Sequence, residues 1–279
     1  MKKLTVFCAA ACLAASAAAQ NHPDLHEVLD RQKGRNLIEI PKGTYTLDVR
    51  SNGPYKFHNL TDVHINGNGS TVICNNQEQA FSFYNCVRVE LHDLTIDYDP
   101  LCFTQGEITA VAEDGSWFDV RIDEGYPVTG LAANRVQFYD PQTRLLKRNS
   151  ITTYTSNYSA LKQLGHNLFR AVKNGTWSAG EQVGDLVVMD VKTDKPNAGV
   201  HTVMLNKCYN TKLENVTVYG SNTFSFFEKE GYANEYRNCV VDRGPMPQGI
   251  RPRLRSGNAD GIHSSQARKG PTVTGCKVA

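Results

Sequence analysis

Residues 85–96 read Asn85-Cys86-Val87-Arg88-Val89-Glu90-Leu91-His92-Asp93-Leu94-Thr95-Ile96, and this phrase returns elsewhere in the chain. Its first half matches Asn59-Leu60-Thr61-Asp62-Val63-His64-Ile65-Asn66-Gly67, 26 residues earlier. Its frame Cys86-x4-Leu91-x2-Leu94-Thr95-Ile96 matches Cys208-x4-Leu213-x2-Val216-Thr217-Val218. Tyr236-Arg237-Asn238-Cys239-Val240-Val241-Asp242 and Val273-Thr274-Gly275-Cys276-Lys277-Val278 echo the second half. A period in the twenties, with alternating apolar residues and polar corners, predicts a solenoid of stacked parallel strands. Each turn buries its inward residues against the turns on either side. The fold expected is all-β, a right-handed parallel β-helix, with Leu91, Leu213, Tyr236 and Val273 in one column.

No copy of the repeat occurs between Pro100 and about Gly199. Glu107–Ala112 and Trp117–Ile122 flank Glu113-Asp114-Gly115-Ser116, which reads as a hairpin. Asp140-Pro141 and Asn174-Gly175 mark further turns, and Gly184–Met189 is another strand. Residues 101–199 are therefore read as a small antiparallel β domain inserted between an N-terminal part of the solenoid (20–100) and its continuation (200–279). The convincing helical pattern lies at Pro23–Arg31, with Leu25, Val28 and Leu29 on one face.

The 279 residues are 40% hydrophobic and 21% charged, which excludes wholesale disorder. Met1-Lys2-Lys3, an apolar run from Leu4 to Ala15, and Ala17-Ala18-Ala19-Gln20 read as a secretory signal peptide over residues 1–19. Lys2 and Lys3 account for the formal charge of +2, so the exported chain is neutral. That balance argues against gripping nucleic acid or anionic lipid by bulk charge. No later stretch approaches the ~20 apolar residues of a membrane span. The expected location is the periplasm or the extracellular space. Six cysteines remain, and four of them (Cys86, Cys208, Cys239 and Cys276) fall at core positions of the repeat, where they serve as small buried hydrophobes.

Stacking places equivalent residues of successive turns about 4.8 Å apart, so a site is built from polar groups on consecutive rungs. The strand opening each turn reads Ala80-Phe81-Ser82-Phe83, Thr202-Val203-Met204-Leu205, Phe224-Ser225-Phe226-Phe227 and Asp260-Gly261-Ile262-His263. In the last, a carboxylate and an imidazole replace mostly apolar siblings. The Pro-rich segment Arg243–Asn258, with Arg251, Arg253 and Arg255, precedes it and reads as the wall of a cleft. Asp97 and Asp99, at the corner where the solenoid meets the insert, are candidates for the same cleft. Glu228 and Glu230 around Lys229 read as a solvated corner. No serine elbow, phosphate loop or zinc-protease helix occurs, and neither a metal nor a cofactor is expected.

Asp97-Tyr98-Asp99-Pro100-Leu101-Cys102-Phe103-Thr104-Gln105-Gly106 and Asn258-Ala259-Asp260-Gly261-Ile262-His263 resemble exported bacterial β-helix proteins related to glycoside hydrolase family 110, the α-1,3-galactosidases. The resemblance covers most of the exported chain. It implies a pectate-lyase-like solenoid with a β-barrel-like insert, and inverting hydrolysis in which aspartates share acid and base duties. Asp260 matches one of them. An adjacent aspartate pair and an Asn-x-His-type strand would follow on the next turn, but the sequence stops at Ala279. The expectation is a piece of a longer protein carrying half of the site.

The leading expectation is thus a glycoside hydrolase acting on α-galactosyl or similar linkages of an oligo- or polysaccharide. Asp260 is its acid or base, and Arg251, Arg253, Arg255, Asn258 and His263 position hydroxyls. Two alternatives stay open, a polysaccharide lyase of the pectate type and a non-catalytic glycan-binding β-helix module.

Overall fold

The structure, a computed structural model, describes residues 22–191 and 200–279, apart from the side chains of residues 133, 134 and 155. The leader at 1–19 lies outside the described residues, as does the expected end of the insert at 199. Nearly all regular structure is β.

The chain alternates between two parallel sheets. The smaller is built from Tyr55–His58, Phe81–Tyr84, Val203–Asn206, Phe226–Lys229 and Ile262–Ser265, each paired in register with the next. The larger contains Thr61–Cys74, Val87–Tyr98, Lys212–Tyr219, Glu235–Arg237 and Thr272–Thr274, among others. Ile65, Leu91, Leu213, Tyr236 and Val273 are direct neighbours across its strands. The sequence alignment of these residues therefore corresponds to physical stacking. Val89, Leu91, Leu213, Val216 and Tyr236 are buried in one apolar cluster that runs between the sheets.

Corners make this register possible. Asn59, Asn85, Lys207, Glu230 and Gln266 each follow a strand of the smaller sheet, and each holds φ between 50° and 60°. Asn populates this left-handed region more readily than most side chains do, which explains the Asn-rich corners of the earlier turns. Asn85 Nδ2 donates to Asn59 Oδ1 (2.8 Å), so neighbouring corners also bond sideways. The thiols follow the same geometry: Cys86 Sγ donates to Phe57 O, Cys239 Sγ to Leu213 O and Cys276 Sγ to Tyr236 O. Cys74, Cys86, Cys102, Cys208, Cys239 and Cys276 are free thiols, and all but Cys276 are buried.

Two sequence expectations need correction. The register pairs Phe81 with Val203, Phe226 and Ile262. The sequence alignment of the four opening strands runs one residue out of step between the second and third: it sets Ser225 and Phe227 opposite Val203 and Leu205, where the structure sets Phe226 and Glu228. Glu228 is not a solvated corner. It points inward in the column of Phe83 and Leu205 and is fully buried. Asn234 Nδ2 and Ser264 Oγ donate to its carboxylate, at 2.9 and 3.1 Å, so this rung is tied by polar bonds rather than apolar packing.

Residues Phe103–Val191 contribute a seven-stranded antiparallel sheet whose core includes Phe118, Phe138, Val188 and Met189. The Phe103–Val111 and Trp117–Ile122 strands form the expected hairpin, turning at Gly115 with φ +73°. The N-terminal helix spans Leu25–Asp30; the Asp24 carboxylate accepts from His26 N as its cap, and Leu25 and Leu29 are buried.

Leu213 is fully buried between Leu91 and Tyr236. Leu213→Ala is expected to lower unfolding free energy by about 2–5 kcal/mol, the range for a buried leucine cavity. Urea denaturation checks this, and a loss below about 1 kcal/mol would show that the column is not packed as described.

Candidate functional site

The segment Arg243–Asn258 carries little secondary structure, yet it is firmly held. Gln105 brackets it: its Nε2 donates to Pro252 O (3.0 Å) and its Oε1 accepts from Leu254 N (2.9 Å). Tyr126 Oη donates to Arg251 O (2.8 Å). Leu254, Met246 and Ile250 pack into the core of the antiparallel sheet. The segment thus straps that sheet to the parallel turns.

Its arginines separate into different environments. Arg253 forms a buried two-pronged pair with Asp97, both bonds at 2.8 Å. Arg255 donates to Asp190 (2.8 Å) and Asn258 (3.2 Å), and its guanidinium lies over the Phe103 ring. Arg251 is exposed and faces Glu107 and Asp123 at 3.3 and 3.1 Å. Asp99 is exposed at the corner. Asp97, Asp99, Arg251 and Arg253 do not line the cleft described next, whereas Arg255, Asn258 and Asp260 do.

That cleft has a volume of about 630 Å³. Arg135, Gln137 and Tyr139 from the strand Leu131–Tyr139 form one wall, and residues 254–260 form the other. Asp260 stands at its rim, and its Oδ2 lies 2.8 Å from His263 Nδ1. Asp260 is the one side-chain carboxylate lining the cleft among the described residues. No group of three or more metal-ligating side chains converges among the described residues.

His263 belongs to a stack that the sequence reading missed. Its ring is parallel to Phe224, with centroids 4.2 Å apart, and Phe224 is parallel to His201 at 4.8 Å. In the true register His201, Phe224 and Asp260 occupy equivalent positions of successive turns, so the alignment slip concealed His201. Thr223 Oγ1 donates to Val200 O (2.6 Å) and lies 2.9 Å from His201 Nδ1. With its one proton committed, the hydroxyl accepts from Nδ1–H, which leaves the lone pair on Nε2. Burial, with the nearby charge of His263, lowers the His201 pKa to about 4.

No family model matches the chain, and no curated protein does. Among solved structures it is similar to the tailspike protein gp49 from Pseudomonas phage LKA1, at 14% identity and a TM-score of 0.25. The match covers 82% of this chain and 38% of that one. A likeness this distant carries no argument about mechanism. Among the described residues, no helix is long and apolar enough to cross a membrane.

Arg253→Ala would leave the Asp97 carboxylate buried without a counter-charge. It is expected to cost about 3–5 kcal/mol in urea unfolding, part of which the double variant with Asp97→Ala regains. Equal stability of Arg253→Ala and wild type would contradict the buried pair. For His201, the folded pKa lies below the ordinary 6.5. The unfolded chain binds the proton first, so stability is full above pH 6.5 and falls as pH drops towards about 4. In His201→Phe this part of the acid loss disappears; thermal melts giving parallel curves for the two proteins would refute it.

Proposed function

We propose that the chain is an exported carbohydrate-active protein, with its two parallel sheets as faces of a right-handed parallel β-helix and residues 101–199 as an inserted antiparallel unit. We propose further that it hydrolyses α-galactosyl or similar linkages of an oligo- or polysaccharide, in the periplasm or outside the cell. The observation that carries this reading is the Asp260 carboxylate, set against His263 at the mouth of a cleft of about 630 Å³. That volume lies within the roughly 300–1,000 Å³ typical of ligand clefts.

In this reading Asp260 exchanges a proton with the glycosidic oxygen or with the attacking water. His263 holds the carboxylate through Nδ1, and the flat His201–Phe224–His263 stack supports the imidazole from behind. Asn258 and Arg255 are fixed donors on the same wall as Asp260. Inversion calls for a second carboxylate about 6.5–9.5 Å from the first. Asp260 is the one side-chain carboxylate lining the cleft among the described residues, and a second reading is a glycan-binding module without turnover.

Asp260→Asn separates the two. Hydrolysis predicts a fall in turnover of about 100-fold or more with binding retained, as for loss of a general acid or base. Released reducing sugar, measured over a panel of α-galactosides, reads it out. A wild-type protein that binds these glycans but releases no sugar would sink the hydrolase and leave the binding module.

A further inference from the structure

Resting on the reading of this cleft as a sugar site, we propose that it selects an anionic sugar residue, one that carries a carboxylate or a sulfate. Three guanidinium groups line the cleft, those of Arg135, Arg243 and Arg255. All three act on the Tyr139 hydroxyl between them: burial raises its pKa, and the three positive charges oppose that rise.

The carboxylates nearby meet them in part: Lys277 first, and the charge of Arg243 last, hold the Asp242 carboxyl below its usual range, and Ala279 also lines the cleft. Asp190 is committed to Arg255 and Asn258, and Asp242 to Lys277 at 2.7 Å. Asp260 sits against His263. Arg135 keeps one long bond of 3.5 Å to Asn258, and its buried Nε has no partner. The Nε of Arg255 is likewise buried and unpartnered. No hydrogen bond or ion pair engages the half-buried Arg243 guanidinium among the described residues.

The guanidinium fork matches a planar carboxylate or a sulfate edge with two parallel bonds. A neutral hydroxyl offers one acceptor and no charge. Leu145 and Leu146, both exposed on the cleft wall, supply an apolar surface for a ring face. Arg135 and Arg243 therefore form an anion-reading subsite of the same opening that Asp260 lines.

Calorimetric titration of the full chain with galacturonate, galactose 6-sulfate and galactose tests this, with Arg243→Gln and Arg135→Gln as variants. At least one acidic sugar is expected to bind about tenfold more tightly than galactose. The gap should narrow in Arg243→Gln and shrink as NaCl rises from about 50 to about 500 mM. Comparison of the two acids tells carboxylate from sulfate. Equal affinities for all three sugars would overturn the anion preference and leave the sugar site standing. If none of the three binds, and longer galactosides fail as well, the proposal and the sugar-site reading fall together. An Arg243→Gln protein that melts as wild type yet keeps the full gap would also overturn it.

Discussion

Parallel strands that hydrogen-bond in register leave each residue no choice of neighbour: it lies beside its counterpart one turn away. The column Ile65, Leu91, Leu213, Tyr236 and Val273 expresses this constraint on the inside. Left-handed corners such as Asn59, Asn85 and Lys207 express it at the bends. A one-residue slip would turn every inward side chain outward, so the apolar alternation and the corners enforce each other. The same constraint carries a polar group inward at Glu228, where Asn234 and Ser264 satisfy it. Inside the stack, a charged side chain is tolerated only where adjacent rungs supply donors.

The cleft depends on a second kind of contact. Strands hold the turns together, but the segment Arg243–Asn258 is placed by side chains reaching across 65 to 156 residues of sequence. Arg253 to Asp97, Arg255 to Asp190, and Gln105 to Pro252 and Leu254 act together. Buried ion pairs contribute modestly to net stability but are costly to break singly, which suits them to fixing geometry. The opening between strap and antiparallel sheet is held at a defined width, with Arg255 and Asp260 on one wall and Arg135 on the other.

Particular residues show where reading the chain alone stopped. Asp260 with His263 was visible because a carboxylate and an imidazole broke an otherwise apolar pattern. His201 was not, because Phe224, Phe226 and Phe227 allow two alignments that differ by one residue. The arginines looked alike in sequence. Folding gave Arg253 and Arg255 buried carboxylates, left Arg251 on the surface, and brought in Arg135 and Arg243 to the cleft. No signal in the sequence marks which arginine meets which acid.

The sequence by itself determined the stacked parallel turns, the corners and the antiparallel hairpin after Pro100. These are local or periodic features, set by alternation of apolar residues and by backbone preference at single positions. Only the tertiary structure decided which charges cancel, which imidazole is buried, and which arginines line the cleft together with Asp260. Such pairings depend on distances between segments far apart in the chain, and burial multiplies their energies in ways that no local pattern encodes.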